Sequence, residues 1–222
     1  MTYYNDYSKV WVSVDVIIIG FDKGEMKILI GRRQMEPGRG DWSLYGGFVA
    51  ADENIDETAT RTLLNLTGLK NVFMRQVGAF GQVDRDPGDR VISVAYLALI
   101  NVKDYSERLR LKHQLEWVPV DKLPKLYSDH NVMVSRAWQM MKQQMHIEPI
   151  AFHLLPELFT LTQLQRLYEA VGGEPIDKRN FRKRIKEMPF IEKTELIDKT
   201  GSKRGASLYR FNKKMYNNKF KL

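Results

Sequence analysis

Apolar and polar positions alternate imperfectly through VWVSVDVIIIGF (10–21), a β-branched run that predicts a strand. A turn signal, DKG (22–24), follows, and EMKILIGRR (25–33) returns as a second strand. After the loop QMEPGRGD, the segment WSLYGGFV leads into a helix predicted over 54–67 and closed by Gly68. Two further strands, NVFMRQVGAFGQ (71–82) and RVISVAYLALINV (90–102), flank the polar loop VDRDPGD. QLEWVPVDKLPKL (114–126) reads as a short strand and a proline-punctuated turn, and DHNVMVSRAWQMMKQQM (129–145) as an amphipathic helix. Strands wrapping two helices predict an α/β (α+β) sandwich over residues 1–147.

The pattern then changes. HIEPIAFHLLPE (146–157) carries two prolines and reads as a link into a second domain over 148–222. In TLTQLQRLYEAVGG, Thr160 and Gln163 fit a capping box, and Leu161, Leu164, Tyr168 and Val171 form one apolar stripe. Gly172 and Gly173 end that helix. DKRNFRKRIKEM (177–188) is a second helix with Phe181, Ile185 and Met188 on its buried face. FIEKTELID and ASLYRFN read as a hairpin around the basic loop KTGSKRG, with Tyr209 and Phe211 as core of the wing. A helix, a turn, a basic helix and a hairpin make a winged helix-turn-helix domain.

Charge sharpens this division. The chain carries 35 Lys and Arg against 27 Asp and Glu, yet residues 175–222 alone hold 15 against 5. The remainder is slightly acidic, so the basic excess sits in the tail and favours a polyanionic partner, nucleic acid or a membrane surface. On the second helix Arg179, Arg182, Lys183 and Lys186 fall on one face, opposite the apolar residues. Arg179 and Arg182 are candidates for bidentate bonds to guanine, and Asn180 for adenine. Lys183, Lys186, Lys203 and Arg204 suit phosphates, as do Thr160, Thr162 and Gln163 at the start of the supporting helix. With no cysteine, disulfides and thiolate metal sites are excluded. The N-terminus lacks a signal-peptide core and no apolar run nears the ~20 residues of a membrane span, so cytoplasmic residence without a membrane partner is expected.

The stretch 46–69 has a recognisable outline. A Nudix box runs Gly, five residues, Glu, seven residues, Arg-Glu, an apolar residue, any residue, Glu-Glu, any residue, Gly and an apolar residue. Gly47, Glu53, Arg61, Leu63, Gly68 and Leu69 fall in that register, with KILIGRR before it and EWVPVDKLP and DH after it. Residues 11–142 thus resemble a Nudix domain, although Tyr45 stands where the family usually has Pro. The three family glutamates after the arginine are replaced by Thr62, Asn65 and Leu66. These positions project from one helical face, which in active members holds Mg²⁺ against a diphosphate. Two neutral groups and a hydrocarbon predict that hydrolysis fails, with no metal, no cofactor and no catalytic residue. Glu53 and Arg61 have a structural role in the family, and Glu57 is expected to pair with Arg61 on the surface. A divergent hydrolase built on Glu53 and Glu57 is the enzymatic alternative.

With GSKRGASLYRF as a wing, nearly the whole chain resembles the Nudix-related transcriptional regulators. That resemblance implies a homodimer on a near-palindromic duplex operator, with a small-molecule effector in the Nudix domain. The branch it looks closest to regulates L-arabinose utilisation, which implies a repressor of sugar catabolism released by L-arabinose. A regulator of NAD metabolism sensing ADP-ribose is the alternative. For a free pentose, Lys27, Tyr45, Asp84, Arg90 and Glu116 are candidate contacts, with Trp42 and Tyr4 as aromatic walls. Arg32, Arg33, Arg85 and Arg90 would instead serve a phosphorylated ligand.

Overall fold

The computed structural model describes residues 6–105, 114–200 and 204–220. Its first domain is a seven-stranded mixed sheet between two helices. Strand β1 (Trp11–Asp22) lies at the centre, antiparallel to β2 (Glu25–Arg32) and parallel to β6 (Val91–Asn101). β5 (Phe73–Phe80) flanks β6, β3 (Trp42–Ser43) and β7 (Leu115–Pro119) flank β2, and β4 (Tyr45–Phe48) pairs with the first half of β1. The imperfect alternation of β1 now has a cause, because both of its faces are covered. Val16 and Ile18 pack toward Leu63 and Leu66 of α1 (Ile55–Thr67). Ile17 and Ile19 pack toward Met133, Val134, Ala137 and Met141 of α2 (His130–Ile147).

Helix α1 has the ends its sequence predicts. Asn54 caps it, with its side chain accepting from the Glu57 N–H at 2.9 Å while the Glu57 carboxylate accepts from the Asn54 N–H at 2.9 Å. Gly68 closes it in the left-handed region at φ 69°. Glu57 is therefore committed to the capping box, and Arg61 pairs with Glu53 instead; the expected surface pair of Glu57 with Arg61 does not form.

The second domain starts at β8 (Leu158–Thr160), a short strand that joins β10 (Ala206–Phe211) and β9 (Ile191–Asp198) in a three-stranded sheet. Helix α3 (Leu161–Gly172) has the capping box of Thr160 and Gln163 and buries Leu161, Leu164, Tyr168 and Val171. Helix α4 (Lys178–Lys186) buries Phe181 and Ile185, and α5 (Lys213–Phe220) follows the wing.

Residues 146–157 differ from the expected link. Ile150–Leu154 form a 3₁₀ turn in which Ile150, Ala151, Phe152 and Leu154 are all buried. Pro149 and Pro156 bound an apolar run rather than an open spacer, and burying each large side chain there stabilises by ~1.5–3 kcal/mol. One core consequently runs from β1 and α2 through this turn into α3 and α4. The junction is also tied by polar groups. Glu148, 6% exposed, accepts the Tyr216 hydroxyl of α5 and lies 2.8 Å from Arg75 of β5. His153 stacks on Phe73 at 4.7 Å and meets Phe211 and Tyr216 edge-on. Burial among these rings pushes its pKa down to about 4, so the imidazole is neutral.

Candidate functional site

The loop from β4 into α1 is built to hold its shape. Arg61 donates to both oxygens of Glu53, at 2.6 and 2.7 Å, and to the Phe48 carbonyl at 3.3 Å. Thr58 adds a hydroxyl bond to Glu53 at 3.0 Å. The guanidinium bonds hold Glu53 below the usual carboxylate range. Both box residues thus serve the loop. Gly46 is required where it stands, because a Cβ would lie 2.4 Å from the Val14 carbonyl and 2.5 Å from the Asp15 carboxylate.

That close passage forms one wall of a cavity of about 190 Å³. Its floor is polar, and Asp15, Arg85 and His130 are engaged there. Asp15 accepts the Ser93 hydroxyl at 2.5 Å and lies 3.7 Å from His130 Nε2 and 3.9 Å from Arg85. The Leu44 N–H donates to His130 Nδ1 at 3.1 Å, which assigns the imidazole proton to Nε2, facing Asp15. Burial pushes the His130 pKa down despite its acidic neighbours. Arg85 grips Asp129 through two bonds of 3.0 and 2.8 Å. Burial alone would raise Asp129, but those bonds and the guanidinium charge outweigh it and hold the carboxyl low.

The rim is different in kind. Arg32 and Arg33 both line the cavity, and among the described residues neither has a carboxylate partner. Arg32 lies 3.6 Å over the Trp42 ring and donates to the Gly40 carbonyl at 3.0 Å. Arg33 lies 4.3 Å over Tyr127 and donates to the Pro37 carbonyl at 2.5 Å. Two fixed, uncompensated cations over that floor suit an anion that fits the opening.

The structure scatters most of the effector candidates. Tyr45 lines the cavity, and burial raises its pKa. Trp42 supports Arg32 from beneath. Lys27 pairs with Asp22 at 3.4 Å, away from the cavity. Asp84 and Glu116 are exposed and outside the lining. Arg90 donates to the Gly81 and Gln82 carbonyls, at 3.0 and 3.2 Å, bracing the loop that carries Arg85. Tyr4 lies outside the described residues. Asp15 and Tyr127 line the cavity without an earlier signal, and His130 had one only as part of the family's flanking DH. Asp15 had one available, a lone carboxylate inside a β-branched run.

In the second domain Arg179, Asn180, Arg182, Lys183 and Lys186 are all exposed on α4, opposite Phe181 and Ile185. Asp177 caps the helix by accepting from the Asn180 N–H at 2.8 Å, which leaves the Asn180 amide group free of that role. Thr160 is buried, with its hydroxyl in the capping box; Gln163 is half-buried and Thr162 is exposed. Arg204 is exposed, and Lys203 lies outside the described residues. No helix among the described residues is long and apolar enough to cross a membrane.

Comparison with known proteins supplies what geometry leaves open. Residues 9–137 match the model of the NUDIX domain, and residues 151–211 match that of the NrtR DNA-binding winged helix domain. The ADPR responsive transcriptional repressor NtrR of Acinetobacter baylyi is 35% identical over 211 residues, covering 93% of this chain and 84% of its own. An ADP-ribose pyrophosphatase of Methanocaldococcus jannaschii is 30% identical over 131 residues, 59% of this chain and 75% of its own. Shewanella oneidensis NrtR, solved with a 27-mer DNA, superposes with a TM-score of 0.80 at 26% identity, covering 90% of this chain and 93% of that one. The expectation of a sugar-catabolism repressor released by L-arabinose is overturned by these findings. The similar repressor of Acinetobacter baylyi is ADPR responsive, and none of these similarities carries an arabinose link. The cavity agrees physically: its rim offers bare guanidiniums, which a neutral pentose does not need.

Proposed function

Since this chain belongs to the NrtR family of Nudix-domain transcriptional regulators, we propose that it is a DNA-binding repressor of NAD metabolism released by ADP-ribose. Two copies would engage a two-fold operator, each placing α4 in the major groove. Arg179, Asn180 and Arg182 read base edges, and Lys183, Lys186, Lys203 and Arg204 position the domain on phosphates. The Nudix domain binds its nucleotide in the cavity beside β4 and does not cleave it. The observation that carries this reading is the pair Arg32 and Arg33, cationic and unpaired at the rim of that cavity. ADP-ribose acts by binding one arrangement of the two DNA-binding domains better than the other.

The test begins with duplexes enriched from a random pool by the full chain. Fluorescence anisotropy should show affinity falling steeply with salt, by about 0.9 log units per phosphate neutralised. Adding ADP-ribose should release the duplex. Arg179→Ala with Arg182→Ala should remove sequence preference. ADP-ribose incubated with the protein and Mg²⁺ should be recovered intact. Indifference of the complex to millimolar ADP-ribose would refute the sensing role, and release of AMP would restore the hydrolase reading.

A further inference from the structure

The Nudix fold implies a divalent cation wherever it handles a diphosphate, and the residues of this chain do not fit one. Thr62 is buried, with its hydroxyl 3.2 Å from where a Gly47 Cβ would be. Leu66 is 2% exposed and packs with Leu63, Leu115 and Tyr105. Asn65 is neutral. The acids on and beside the helix are nearly all used, and the exposed Asp52 is a single carboxylate. Glu53 is held by Arg61, Glu57 closes the capping box and Asp56 accepts the Tyr96 hydroxyl. Among the described residues no group of three or more His, Cys, Asp or Glu could hold a metal. Hard cations need several oxygen donors, and this helix gives them none that is free.

A bound diphosphate still needs its charge met in a partly enclosed site. Arg32 and Arg33 are placed for that. They follow one another at the end of β2, and the loop beyond them is closed by paired backbone bonds between Arg33 and residues 40 and 41, each 2.9 Å. Each guanidinium lies over an aromatic face and donates one N–H to a backbone carbonyl, leaving the rest of its fork available. Their geometry is set before a ligand arrives, so little ordering is left to oppose binding.

We infer that Arg32 and Arg33 hold the effector's diphosphate directly, that Trp42 and Tyr127 are positioning residues beneath them, and that binding requires no divalent cation. This rests on the ADP-ribose reading above and adds to it the means of recognition.

Isothermal titration of the full chain with ADP-ribose, in EDTA and again in Mg²⁺, tests both levels separately. The expected dissociation constants agree within about twofold. Arg32→Gln and Arg33→Gln should each weaken binding by about tenfold, the scale of one lost charge-assisted bond. Trp42→Leu and Tyr127→Leu should weaken it less, because the charges remain. Arg33→Lys, which keeps the charge and loses the planar fork, should fall between wild type and Arg33→Gln. Adenosine, which lacks the diphosphate, should bind wild type and variants alike. Each variant's DNA affinity without effector should match wild type, and the arginine variants should keep its melting temperature, whereas Trp42→Leu and Tyr127→Leu lose aromatic packing and melt lower. Binding seen only with Mg²⁺ overturns the cation-free site. Cation-independent binding unchanged in both Arg→Gln variants overturns the placement. Absence of binding under both conditions overturns the ADP-ribose reading itself.

Discussion

Removing one carboxylate at the domain junction should loosen the whole chain. Glu148 meets Arg75 at 2.8 Å and the buried Tyr216 hydroxyl, so Glu148→Ala strands a guanidinium and a phenol together. Breaking a buried ion pair from one side destabilises by about 3–5 kcal/mol. Arg75 is 23% exposed and keeps a 3.0 Å bond to Gln144, which places the effect near the lower bound, about 3 kcal/mol. In a chain of this length each kcal/mol moves the melting temperature by about 2–4 °C, so a fall of about 6–12 °C is expected. Calorimetry at pH 7 would measure it. Tyr216→Phe removes the bond to a charged acceptor, about 1.5–3 kcal/mol, and leaves Glu148 its arginine. The double variant should lose less than the two single losses added, since both touch one network. A Glu148→Ala protein melting within about 2 °C of wild type, or strict additivity, would refute the reasoning.

Other consequences can be checked in the same way. An unfolded histidine takes its proton near pH 6.5, whereas His153 does so at about 4, so stability present above pH 6.5 is lost as pH falls between those values. The loss should reach about 3 kcal/mol, and His153→Leu should flatten that part of a melting-temperature profile; parallel curves would exclude burial of His153 as the cause. Asp129→Asn takes from Arg85, 4% exposed, the carboxylate it grips twice and leaves Asp15 at 3.9 Å as the nearest, and should lower urea-measured stability by about 3–5 kcal/mol, against a refuting change below about 1. Leu66→Glu removes ~1.5–3 kcal/mol of apolar burial and forces a carboxyl among Leu63, Leu115 and Tyr105, so the melting temperature should drop and Mg²⁺ should not restore ADP-ribose hydrolysis. Regained cleavage by a folded variant would sink that account.

Elements whose signals are local were legible before any coordinates. Helix α1 carries its own cap in Asn54 and Glu57 and its own stop in Gly68, and α3 repeats the device with Thr160, Gln163 and Gly173. The apolar and basic faces of α4 follow from spacing alone. Short or polar elements were not legible. β8 has three residues, and α5 offers little beyond Tyr216 as a buried anchor. The run 150–155 misled because its bounding prolines suggested a spacer, whereas its side chains lie in the core. The cavity was legible only as Tyr45 and a set of loose arginines. Asp15 and Ser93 meet across 78 positions of chain, and Ser43 and His130 across 87, in contacts that no spacing rule contains. Trp42 could be picked out as an aromatic near the box, but not as a platform under Arg32, because that contact depends on how the loop 33–41 folds back.

Helix α2 starts beside the cavity, where Asp129 and His130 are held, and its C-cap is Glu148, the carboxylate shared with Arg75 and Tyr216. A rod of 18 residues is about 27 Å long and bends little, so it acts as a lever between two clamped ends. A tilt of roughly 5° about its first turn would carry the far end about 2 Å, a large displacement beside a 2.8 Å ion pair. Neither clamp can be reset without straining the other.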